Sequence, residues 1–101
     1  MTYPAPVYVG QFDAIKAADT VDLYIDIAAD LVAGEAIQTV TFTLITDIGG
    51  TVPGAVTAHT ETATRTDFRL TAPSVGAYQL MAVFKIDDGQ TLTRFADVLV
   101  V

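Results

Sequence analysis

The chain has 101 residues, 51% of them hydrophobic, with 12 acidic and 5 basic side chains and a net charge of −7. That length holds one domain around one two-layer core, and the apolar share excludes a wholly disordered chain. The absence of cysteine excludes disulfides, zinc–thiolate sites and a cysteine nucleophile, while the acidity disfavours a nucleic-acid backbone as partner.

Met-Thr-Tyr-Pro-Ala-Pro-Val at the start has neither a basic nor a long apolar region, so no secretory signal is read there. Pro4 and Pro6 favour extended backbone and forbid a helix. Val7, Val9 and Phe12 are able to join a sheet edge; residues 13–18 read as a connector too short for an independent helix. The expected division is therefore an extended arm and connector over residues 1–18 and one domain over 19–101. Apolar runs fall far short of a membrane span of about 20 residues.

The strongest local signal follows. Val21, Leu23, Ile25 and Ile27 alternate with Thr20, Asp22, Tyr24 and Asp26, the period of a half-buried strand. Residues 28–35 read as a helical or turn-like segment, with Leu31 and Val32 plugging the core and Gly34 supplying a turn. A second alternation, Val40, Phe42 and Leu44 against Thr39, Thr41 and Thr43, places a strand over 37–46. Residues 47–54 hold three glycines and a proline and read as a loop. A short strand is expected over 56–60, then a strand with Phe68 and Leu70 inward and Arg65, Asp67 and Arg69 alternating with them. A long strand opens at Gly76 with Tyr78, Leu80, Ala82, Phe84 and Ile86 on one face. Asp88-Gly89 is expected at the centre of a hairpin turn leading to a last strand over 91–101.

About seven short strands with frequent turns predict an all-β, antiparallel immunoglobulin-like β-sandwich. Gly76-x-Tyr78 reads as the tyrosine corner of such folds, whose hydroxyl binds nearby backbone. A five-stranded barrel is the alternative. The residues expected to be buried are Val21, Leu23, Ile25, Val40, Phe42, Leu44, Phe68, Leu70, Leu80 and Phe84.

No set of residues suggests catalysis. His59 is the only histidine and Ser74 the only serine, and nothing in the sequence brings them together. Asp22 and Asp26 share a strand face but lie about 13 Å apart, too far for a common metal. Asp87 and Asp88 are the aspartates a turn favours. Gly49-Gly50 is not followed by the lysine and helix of a phosphate loop. No metal, cofactor or small-molecule substrate is expected. Tyr24 is different: on the polar face of its strand it is a candidate protein-interface anchor. Tyr3, Val7, Tyr8 and Val9 form a second candidate contact surface, being too apolar for a solvating tail.

The run Thr20-Val21-Asp22-Leu23-Tyr24-Ile25-Asp26, then Leu31, Gly34-Glu35, Ile37 and Val40-Thr41-Phe42-Thr43, resembles the small immunoglobulin-like virion proteins of tailed phages known as fibre–tail adaptors. The ending fits too, with Gly76-x-Tyr78, Gly89 and the final strand. Phe42 stands where tryptophan is commoner, and Glu35 replaces an aspartate. The resemblance covers most of residues 19–101 and implies a non-enzymatic virion part joining tail or portal proteins to fibres. Such a part would be made in the host cytoplasm, would contact other virion proteins, and would form a cyclic homo-oligomer or lattice. A capsid cement or decoration protein and a generic immunoglobulin-like binding module are the alternatives.

Overall fold

The computed structural model describes the backbone of residues 7–101 and the side chains of residues 12–101. Eight strands follow in order: β1 (Val7–Gln11), β2 (Thr20–Asp26), β3 (Ile37–Thr46), β4 (Thr51–Val52), β5 (Val56–Glu61), β6 (Arg65–Thr71), β7 (Gly76–Ile86) and β8 (Thr91–Val100). They form a five-stranded sheet ordered β1-β8-β7-β3-β4 and a three-stranded sheet ordered β2-β6-β5. This is an immunoglobulin-like β-sandwich, and every pairing is antiparallel except the parallel β1–β8 edge.

The core lies between the sheets and follows from period-2 alternation. β7 contributes Leu80, Ala82, Phe84 and Ile86, β8 contributes Leu92, Ala96, Val98 and Val100, and β6 contributes Phe68 and Leu70. Ile25, Val40 and Leu44 join them, as expected. Val21, Leu23 and Phe42 are only half-buried, packed against the rim of the cluster. The reason is position: β2 is an edge strand, and Phe42 lies where β4 is too short to cover β3.

Three local expectations are corrected. The division at residue 19 gives way, because Val7–Gln11 is a strand of the sheet and Ile15 is core. The chain runs on beside β8, with Phe12 N–H donating to Asp97 O, Ile15 N–H to Leu99 O and Ala17 N–H to Val101 O. Val7 is the first residue past the two prolines, so its segment has the donors that a ladder needs. Residues 1–6, with Pro4 and Pro6, lie outside the described residues.

Val32 does not plug the core; it is 68% exposed, and Leu31 alone packs on the cluster. Only Ala28–Asp30 is helical, as one 3-10 turn, which is too short to carry both side chains inward.

The centre of the last hairpin also differs. Gly89 N–H donates to Ile86 O and Ile86 N–H to Gln90 O, so Asp87-Asp88 are the central pair and Gly89 follows at φ 94°. This is the three-residue loop ending in a left-handed glycine. The Thr46–Gly50 loop repeats it, with Gly49 N–H on Thr46 O and φ 89° at Gly49.

The tyrosine corner is present: the Tyr78 hydroxyl donates to Ser74 O at 2.7 Å. It ties the turn before β7 to the strand itself.

Candidate functional site

β2, β6 and β5 turn one face to the core and the other outward. Register decides what the outer face carries. Asp22 stands opposite Arg69, Tyr24 opposite Asp67 and Asp26 opposite Arg65. Ala58 and Thr60 of β5 continue the rows of Arg69 and Asp67.

At the centre is Tyr24, 55% exposed. The Arg65 guanidinium stacks over its ring at 4.2 Å. Arg65 is fixed in turn by Asp67, with Nη2 to Oδ1 at 2.6 Å and Nε to Oδ1 at 3.1 Å. Asp22 takes Arg69 in a second fork, Nε to Oδ1 at 2.9 Å. Planar guanidinium forks suit carboxylates and aromatic faces together. The hydrogen bond and charge of Arg69 hold the Asp22 carboxyl below the usual carboxylate range. The same contact holds Arg69, and the hydrogen bond to Asp67 holds Arg65, further into the charged form.

Chemically, this surface is an aromatic platform flanked by two ion pairs, Arg65–Asp67 and Arg69–Asp22, with Asp26 accepting from the Ala28 N–H. It presents a rigid tyrosine and satisfied polar neighbours, the composition of a protein-contact hot spot and its rim. A partner covering it would desolvate pairs rather than lone charges, which lowers the penalty.

The other sequence candidates fall elsewhere. Val7, Tyr8 and Val9 belong to β1 at the edge of the opposite sheet, so they do not join Tyr24. Tyr3 lies outside the described residues. His59 on β5 bonds Glu61 Oε2 at 2.7 Å and meets the Phe42 ring edge-on at 5.3 Å. Ser74 sits against Tyr78, not His59. Among the described residues, no three acidic, histidine or cysteine side chains are grouped to hold a metal, and no helix is long and apolar enough to cross a membrane.

The partnership of Tyr24 with Arg65 and Asp67 was not readable beforehand. The alternation of Arg65, Asp67 and Arg69 was visible, but β2–β6 register, which sets Tyr24 among them, is a tertiary choice. No protein-family model matches this chain, and no curated protein shows significant similarity to it.

Proposed function

We propose that the protein is a non-enzymatic structural part of a tailed-phage virion, an adaptor that joins tail or portal proteins to fibres and docks through the outer face of β2, β6 and β5. The observation that carries the docking reading is Tyr24, exposed and braced by Arg65 on a sheet face where both arginines are held in ion pairs. A solvated face has no need of a stacked aromatic at its centre; a contact surface does. The virion assignment is supported by the resemblance of residues 20–43 to the adaptor family; those residues build β2, which carries Tyr24 on this face, and most of β3 in the opposite sheet.

The test has two arms. Mass spectrometry of purified phage particles should find the chain at a fixed ratio to tail or portal proteins; its absence from particles sinks the virion reading. Tyr24→Ala should leave the circular dichroism spectrum unchanged, because the ring is not in the core, and should reduce incorporation at least roughly tenfold, the size of a modest hot-spot loss. Normal incorporation of the variant would remove the docking face while leaving the virion reading standing.

A further inference from the structure

The five-stranded sheet has an open edge. β4 pairs with β3 only at Leu44 and Ile45. Thr46 N–H donates to Gly50 O on the β4 side, so by strand alternation Leu44, Phe42 and Val40 turn their N–H and C=O groups the same way. At Phe42 and Val40 no strand among the described residues is there to receive them. The ladder position is recovered only at Ile37, whose N–H reaches Ala63 O.

Beside this edge runs a groove of about 390 Å³. Val40, Phe42, Leu44, Ala55, Val56 and His59 are among the residues that line it. Two aromatic rings meet in it, Phe42 lying 5.3 Å from His59 between ring centres. Open backbone beside a groove with side-chain pockets is what an added strand requires; Thr41, Thr43 and Thr51 share this lining with the apolar residues.

Thr2-Tyr3-Pro4-Ala5-Pro6 has the pattern of such a strand. Alternate residues of a strand direct their N–H groups to opposite edges. Tyr3 and Ala5 supply donors on one edge, and Pro4 and Pro6 have none on the other. The segment therefore pairs on one side and ends the ladder on the far side. Set antiparallel with Tyr3 opposite Phe42 and Ala5 opposite Val40, its bonding edge meets the free groups of β3. The same register turns Tyr3 and Ala5 to the groove side, because directly opposed residues share a face.

The segment does not reach this edge of its own domain. Val7, Arg94, Ala82 and Phe42 lie in one cross-strand row. The added strand would be four strand spacings, roughly 19 Å, from Val7. Six residues span at most about 20 Å, which leaves none to lie along β3. We infer that residues 2–6 of one copy add as a strand to the open β3 edge of a second copy, ending where Val52 already pairs with Leu44. β1, which the donor segment precedes, and the acceptor edge lie on opposite sides of the same sheet, so the contact is head-to-tail and closes into a ring or propagates.

The test compares the full chain with a chain lacking residues 2–6. The deletion keeps β1 and the core, and circular dichroism and thermal melting check that it folds. Sedimentation of the full chain should show concentration-dependent association, lost on deletion and weakened at least roughly tenfold in Tyr3→Ala. Residue-resolved hydrogen exchange should find the Val40 and Phe42 amides protected in the associated full chain and fast in the deletion. A full chain that stays monomeric throughout overturns the inference. So does association that survives the deletion, or exchange at Val40 and Phe42 that the deletion does not change. Neither arm uses particles or other virion proteins, so a failure here is distinct from a failure of the adaptor reading.

Discussion

Arg94 is the charged side chain that the core takes in, 1% exposed on the inward face of β8. Its Nη2 meets Asp30 Oδ2 at 3.3 Å and its Nη1 donates to Thr93 O at 3.0 Å, while Nε has no partner among the described residues. A buried cation with one incomplete fork is costly to desolvate, and its partner matters chiefly by keeping it from being alone. Asp30 is itself partly in water, which screens the pair, so Asp30→Ala should cost about 1–3 kcal/mol, below the range for fully buried pairs. Arg94→Met keeps most of the volume and removes the charge, and should cost less than Asp30→Ala or stabilise. Urea denaturation of the two variants checks the order; the reverse order would mean that the guanidinium hydrogen bonds outweigh desolvation. Half of this arrangement was legible. Arg94 interrupts the apolar row Leu92, Ala96, Val98 and Val100, visible in the sequence as a charge on the wrong face. Asp30 was not legible as its partner: a turn was expected over 28–35, but which strand that turn would face is a tertiary choice.

Among the elements, β3 and β7 were readable to their ends, since long alternation is punctuated there by glycine and aspartate turns. β1 and β4 were not. β1 follows prolines and pairs in parallel with the far end of the chain, and β4 is two residues inside a glycine-rich loop. Turn backbone offers a paired test of how the elements are joined. Gly89 adopts φ 94° with nothing within 4 Å of where a Cβ would stand, so only conformation opposes a side chain. Ala18 adopts φ 68° where the chain leaves the β8 edge for β2, its N–H on Ala72 O and Asp19 O on Ala72 N–H. A left-handed non-glycine residue costs about 1–2 kcal/mol, and glycine adds roughly 0.4–1 kcal/mol of unfolded-state entropy to be lost. Gly89→Ala should therefore destabilise by about 0.5–1 kcal/mol, and Ala18→Gly should stabilise by a similar amount. Thermal or urea melts of both variants read the two signs; equal signs would mean that one of the two loops relaxes on substitution.

At the scale of the whole molecule, the two-layer architecture follows from alternation, but which strand closes which edge does not. The sandwich joins residues from both ends of the chain: β1 lies beside β8, Ile15 packs into the core, and Phe12 meets Phe68 edge-on at 6.0 Å. An arm that docks and a strand that belongs to the fold make opposite demands on truncation. Removing residues 2–6 takes away no described strand and should leave the melting temperature within a few degrees of the full chain. Removing residues 2–17 should be far more damaging. It strips the β8 edge of its ladder, exposes the core face that Ile15 covers, and takes from Phe68 one of the two aromatic neighbours it has among the described residues. Burial of Ile15 and the partial burial of Phe12 correspond to about 2–5 kcal/mol, a large part of the roughly 5–15 kcal/mol total stability of a domain. The shorter chain should thus be partly or wholly unfolded at room temperature, with loss of chemical-shift dispersion in its amide spectrum. A well-dispersed spectrum from that chain would show that β2–β8 close the core unaided, and would move the boundary of the folding unit back to residue 18.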